Sequence, residues 1–321
     1  MAGGQERILR DRIRAVQATK KITRAMELIA ASRIVKAQQR VHAAVPYSEQ
    51  ITEVVHHLAE AGASSDHPIL LGRPEVRSIC YVIITSDRGL CGGYNSGVLR
   101  AAEQEIKADV ERGWTHTTVP VGRKAESYLR FRGYPMDPVF SGFSENPTYA
   151  DAKSIAEHIG AAYVEGRVDR VELVYTRFVS AGSQEVVQRP LIPLEWELGD
   201  HAQAAPTSEG PKADYVYEPE PSEILETLVP RYVEARIYAA LLNAAASEQA
   251  FRQRAMKAAT DNADELIKSL SRVMNRARQD SITTEIMEIV GGAEALGSGK
   301  QPDVRIIDFE FEPVSTGDAS Q

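Results

Sequence analysis

The sequence predicts an α/β protein with long helices: an antiparallel coiled coil of the N- and C-terminal helices carrying a central, Rossmann-like open α/β domain. Three observations predict it. A helical stretch of about seventy-five residues, Ser222 to Leu296, has no glycine until Gly291 and sets apolar residues at helical spacing, at Val233, Ile237, Leu241 and Ala244, then at Leu266, Leu270, Val273 and Ala277. From Arg7 to about Leu58 glycine is again absent, and Ile51, Val54, Val55 and Leu58 continue a stripe that includes Ile22, Met26 and Ile29. Between the two, strand-like and helix-like segments alternate, which indicates an open, partly parallel sheet.

At ~1.5 Å per residue the C-terminal helix is on the order of 110 Å long, more than one small domain needs. Such a helix must lie against something, and the other terminus supplies a partner of the same kind. The alternative is two independent helices packed on a globular core; their length argues against it. Pro46 interrupts the helical bonding and predicts a bend just before Tyr47, and the segment from Gly62 to Asp66 ends the first helix. The expected divisions are 1–66, 67–221, 222–296 and a C-terminal extension over 297–321.

The middle begins with Arg77–Ser86, a continuous apolar, β-branched run suited to a strand buried on both faces. Asp87-Arg-Gly-Leu-Cys-Gly-Gly-Tyr-Asn95 follows, then a helical stretch from Ser96 to Arg112. Strand, glycine-rich turn and helix form the layout of a phosphate cradle. The turn is neither G-x-G-x-x-G nor a phosphate loop ending in Gly-Lys-Ser/Thr, and the competing reading is that its glycines let the chain turn tightly beneath the long helices. Further strands are expected at Thr117–Val121, Arg170–Val179 and Glu185–Trp196, with helices at Gly122–Phe131 and Ala150–Glu165. The composition over Gly199–Pro221 marks a loop. Near the C-terminus, Ile307, Phe309 and Phe311 alternate with Asp308, Glu310 and Glu312, the pattern of a half-buried strand, with disorder as the alternative.

The 321 residues carry a formal net charge of -8, against a generic nucleic-acid binder. The charge is uneven: Met1 to Arg40 holds ten bases against three acids, and Arg33, Lys36 and Arg40 share one helix face. That helix wants an acidic neighbour, unless the stripe is simply a solvated face. The two cysteines, Cys80 and Cys91, form neither a disulfide framework nor a paired metal spacing, which fits a reducing compartment. His56, His57 and His67 lack a carboxylate partner at metal-ligand spacing. No apolar run spans a bilayer, so any work at a membrane goes through partners. No nucleophile, base and orienting group fall into a recognisable motif. A mechanical or binding component is the expectation, with neither catalytic residues nor cofactor nor metal.

Several motifs in order carry a specific resemblance. Lys21-Ile-Thr-Arg-Ala-Met26 with Ile29-Ala-Ala-Ser-Arg33, then Ser86–Asn95, Arg231-Tyr-Val-Glu234, Ala246-Ser-Glu-Gln249, Ala255-Met-Lys-Ala-Ala-Thr-Asp-Asn262, Ala277–Ile286 and Glu288-Ile-Val-Gly-Gly292 are similar to the γ subunits of bacterial F-type ATP synthases. The resemblance implies a left-handed antiparallel coiled coil turning inside a hexamer of α and β subunits. Its α/β domain would sit near the ε subunit and the c-ring, coupling proton flow to ATP synthesis on β. It implies a non-catalytic subunit, peripheral on the cytoplasmic face of the plasma membrane and joined to the membrane only through the complex.

By the same resemblance Met26, flanked by Arg24 and Glu27, faces an acidic loop of β, as do Arg33 and Lys36. Arg252, Gln279, Thr283 and Glu285 match positions that engage β. Met287 departs from the threonine often found there and is not counted. The redox-switch insertion of chloroplast relatives is absent, which leaves Cys91 without a regulatory role. Two other classes compete: a nucleotide-binding α/β enzyme with helical appendages, which would bind ligand alone, and a coiled-coil adaptor, which would bind partners without altering any ATPase.

Overall fold

The computed structural model describes residues 2–60, 69, 70, 72–194 and 218–297. In chain order they form α1 (Ala2–Glu60), β1 (Ser78–Ile84), α2 (Tyr94–Glu111), β2 (Thr115–Val121), α3 (Arg123–Arg132), α4 (Tyr149–Val164), β3 (Arg170–Phe178), β4 (Gln184–Ile192) and α5 (Pro221–Gly297). The helix end expected at 62–66, nearly all of the 199–221 loop and the strand-like stretch 304–312 lie outside the described residues. Two compact units result: residues 18–264, and residues up to 17 together with those from 265 on.

In the 18–264 unit the sheet runs β2-β1-β3-β4, with β1 parallel to both β2 and β3 and β4 antiparallel to β3. Residues 79–84 of the central strand are all buried, which explains why that run is apolar without alternation. Ile79, Tyr81 and Ile83 face a core that includes Val98, Leu99 and Ile106 of α2 and Leu129 of α3. Cys80, Val82 and Ile84 belong to a second core with Ile155 and Ile159 of α4, Ile51, Val55 and Leu58 of α1, and Val233, Ile237 and Leu241 of α5. Each such aliphatic side chain contributes on the order of 1.5–3 kcal/mol by leaving water. The inner lengths of both long helices are thus part of the sheet domain's core. Helix α4 begins with a capping box in which the Thr148 side chain accepts from the Asp151 amide and Asp151 accepts from the Thr148 amide.

The two helices pair antiparallel. Lys20 forms an ion pair with Asp264, and Thr23 Oγ1 lies 2.8 Å from Thr260 Oγ1, so a step of three along α1 is matched by a step of four backwards along α5. The covered positions on α1 include a row at 20, 23, 27, 30, 34, 37, 41, 44, 48, 51, 55 and 58, which alternates steps of three and four. That period of 3.5 winds the pair into a left-handed supercoil.

The seam differs in detail from the expected stripe. Ile22 and Ile29 are 61% and 52% exposed, and Val54 is 43% exposed, while Thr23, Glu27, Ala30 and Ile34 are buried. On α5, Leu270 is buried but Leu266 and Val273 are 40% and 48% exposed. The physical reason is that each helix carries more than one apolar stripe, and local spacing does not say which of them turns inward. Pro46 lies inside α1, which runs on through it to Glu60. The proline sits on an exposed face, where water can meet the carbonyl it leaves without a donor.

In the other unit Ile13 and Leu270 are the buried apolar residues, and the half-covered positions Ile267, Met274, Ala277 and Ser281 continue the three-four spacing. Beyond Ser281, α5 leaves Ile282, Ile286, Met287, Ile289, Val290 and Leu296 exposed.

Candidate functional site

The glycine-rich turn lies at the C-terminal end of β1, between β2 and β3, the position where open α/β sheets bind ligands. Here the chain itself fills that position. Asp87 places its carboxylate where an anion would sit: Oδ1 accepts from the Arg123 amide at 3.1 Å, at the start of α3, and Oδ2 accepts from the amides of Gly142 at 2.9 Å and Ser144 at 3.0 Å. Burial opposes ionisation of Asp87, but these donors outweigh it and hold the carboxyl below its ordinary value.

Helix α5 covers the rest of the turn. Gly92, at φ +55°, would bring a Cβ within 3.5 Å of the Ala255 Cβ; the Arg252 Nη2 donates to the Gly89 carbonyl at 3.4 Å; and the rings of Tyr94 and Phe251 lie 5.9 Å apart. Gly122 is tighter still, since a Cβ there would stand 2.4 Å from the Thr85 carbonyl oxygen. Gly92 therefore supplies a positive-φ turn lying against α5, as the second of the two readings of this turn expects, while Gly122 lets the start of α3 approach the end of β1. Burial pushes the Cys80 thiol up to about 12 and raises that of Cys91, so both are protonated at neutral pH.

A charged node joins the turn to both long helices. Glu145, in the segment before α4, accepts from Arg33 of α1 at 2.6 Å and lies 3.5 Å from Arg88 and 3.7 Å from Arg252. Arg252 also donates to Glu248 one helical turn earlier, at 2.6 Å. Glu248 is buried, and desolvation raises its pKa despite Arg252. Arg40 bonds to Asn146 and to the Pro147 carbonyl. The basic stripe thus meets an acidic neighbour inside the same chain, a pairing across 112 residues that spacing along α1 could not disclose.

The expected contact residues separate into three groups. Met26 is half-buried; Arg24 beside it is exposed and pairs at 2.9 Å with Glu27, which occupies the seam. Arg33 and Lys36 are exposed, the former already engaged with Glu145. Gln279, Thr283 and Glu285 are exposed on the outer part of α5, whereas the Arg252 side chain is only 6% exposed, enclosed by the node. Glu145 was not anticipated, and Glu248 stood in the quoted Ala246-Ser-Glu-Gln249 motif without a role; its signal was an acid set among the small residues 244–250.

No helix among the described residues is long and apolar enough to cross a membrane. A filled ligand position, a buried ionic node and paired long helices with uncovered apolar side chains define an α/β protein built on an antiparallel helical stalk. The family model described as ATP synthase matches residues 5–296. The ATP synthase gamma chain of Frankia casuarinae is 52% identical over 300 residues, covering 92% of this chain and 99% of that one, and that of Parafrankia sp. is 51% identical with the same coverage. The chain belongs to the ATP synthase γ-chain family. Among solved structures, a chain of the Tetrahymena thermophila mitochondrial ATP synthase central stalk and c-ring is 26% identical with a TM-score of 0.55, covering 74% of this chain and 99% of that one. A chain of the Euglena gracilis mitochondrial ATP synthase, at 18% identity, shares the fold with a TM-score of 0.67 over 96% of this chain and 100% of that one.

Proposed function

We propose that this chain is the central-stalk rotor of a proton-translocating F-type ATP synthase. It couples proton flow through the membrane sector to ATP synthesis on the β subunits and takes no catalytic part itself. Alongside family membership, the observation that carries the reading is the outer part of α5, where Ile282, Ile286, Met287, Ile289, Val290 and Leu296 are uncovered. A patch of that kind on one helix calls for a surrounding partner. The hexamer of α and β subunits fits it. The α/β domain is the end that meets the ε subunit and the c-ring, and the complex holds the chain peripherally at the cytoplasmic face of the bacterial plasma membrane.

Met26, Arg24, Arg33 and Lys36 are proposed to meet the acidic loop of β, and Gln279, Thr283 and Glu285 to engage β along α5. Arg252 is proposed at the same interface through the helix segment that its buried pair with Glu248 holds in place. Exposed pairs contribute about 0–1 kcal/mol each, weak enough to break and re-form as the shaft turns. The test is reconstitution: the chain mixed with α and β subunits is expected to give a stable complex with cooperative ATPase activity. A chain that stays unassembled, or assembles without changing the ATPase, overturns the reading, and saturable ATP binding by the chain alone would favour a nucleotide-binding enzyme instead.

A further inference from the structure

Away from the turn and the node, a cavity of about 430 Å³ opens between α1, α5 and the β3–β4 edge of the sheet. Three arginines line it, Arg177 from β3, Arg189 from β4 and Arg236 from α5, and no acidic residue does. Ser48 adds a hydroxyl, and Leu173 and Leu191 are among the apolar residues of the wall. The volume is within the ~300–1,000 Å³ usual for small-molecule sites.

The arginines are unevenly neutralised. Arg177 Nη2 pairs with Glu185 at 2.8 Å, but its Nε is buried without an acceptor among the described residues. Arg236 stacks on the Tyr232 ring at 5.9 Å. No carboxylate among the described residues pairs with Arg189, which is half-buried on the edge strand. Guanidinium groups keep their charge at every physiological pH, so Arg189 and the unaccepted Arg177 Nε leave donor capacity at the recess that an anion can take up. A forked guanidinium suits the paired oxygens of a phosphate or carboxylate, and a bare inorganic anion would leave most of the apolar wall uncovered.

We propose that this cavity binds a small amphipathic anion, a single phosphate or carboxylate group carried on an apolar body, with Arg177 and Arg189 holding the head. This inference is independent of the rotor reading, because it concerns binding by the chain alone.

Calorimetric titration of the full-length chain with phenyl phosphate, octanoate and inorganic phosphate tests it, using wild type, Arg189→Gln and Arg189→Lys, and Ala239→Leu to fill the cavity. Both organic probes are expected to saturate with Kd below about 1 mM, inorganic phosphate to bind about tenfold more weakly, and Arg189→Gln to weaken the organic probes about tenfold, with partial recovery in Arg189→Lys. Circular dichroism confirms folding of each variant. Arg189 lies on an edge strand outside both cores, so its variants decide the matter even if Ala239→Leu does not fold. Absence of saturation by either organic probe, or equal affinity in wild type and Arg189→Gln, overturns the proposal. Inorganic phosphate binding as tightly as phenyl phosphate overturns the apolar part of it. An acidic side chain of a partner subunit seated in the cavity of the assembled complex, with the free chain binding no probe, also overturns it.

Discussion

Thr23 and Thr260, separated by 237 residues in the chain, meet hydroxyl to hydroxyl at 2.8 Å in the buried seam between the two long helices. Each also donates to or sits near a backbone carbonyl of its own helix, Thr23 to Lys20 at 3.0 Å and Thr260 to Met256 at 2.9 Å. With the half-exposed neighbouring pair Lys20–Asp264 and the buried Glu27, they put polar layers into the interface. The threonine layer penalises other alignments of the two helices, because a shifted register buries each hydroxyl without its partner.

Single Thr260→Val is expected to cost about 0.5–1.5 kcal/mol, and Thr23→Val a similar amount. The double variant should cost clearly less than the sum, since it removes both hydroxyls and orphans neither. A double-mutant cycle by denaturant unfolding checks this, and strict additivity would show that the two hydroxyls do not interact.

Leu270→Ala should destabilise by about 2–5 kcal/mol, the usual cost of truncating a buried leucine. Leu266, 40% exposed, is the internal control: Leu266→Ala should cost less than half as much in the same thermal unfolding experiment. Equal effects would mean that the seam runs along the other stripe.

Asp87 gives a prediction about pH. Its folded pKa lies below the ordinary 3.8, so its stabilising contribution is fully present above about that pH and is lost as pH falls through the lowered folded value. Asp87→Asn should destabilise the chain at pH 7 by about 1–3 kcal/mol, because an amide cannot satisfy three backbone donors on two oxygens. It should also flatten the acid limb of stability measured by urea unfolding below pH 4; an unchanged limb would assign that pH dependence to other carboxylates.

Met26→Lys is expected to leave assembly intact but lower proton pumping per ATP hydrolysed, whereas Met26→Leu should change little. The added cation stands next to Arg24, whose guanidinium is already held by Glu27, so it is available for a new contact with the proposed acidic loop of β. A contact made in one rotational state only biases the cycle. Pumping and hydrolysis measured together in membrane vesicles decide it, and an unaltered ratio in the assembled lysine variant removes Met26 from the interface.

Periodicity and turn chemistry by themselves determined a great deal: both long helices, their antiparallel pairing and, among the described residues, the four strands and the three shorter helices, while the family came from resemblance of ordered motifs. These depend on local spacing, and local spacing is written along the chain. Tertiary structure decided three further matters. It chose the seam of α1 that holds Thr23, Glu27, Ala30 and Ile34 over the neighbouring stripe through Ile22 and Ile29, because a helix with two apolar faces does not declare which one its partner helix will cover. It supplied the basic stripe with an acidic neighbour, Glu145, from more than a hundred residues away. And it filled the glycine-rich turn with Asp87 and Arg252, so that a position shaped for an anion became a joint between sheet and shaft. Electrostatic partners and occupied cavities are matters of three-dimensional proximity, which no spacing along one helix encodes.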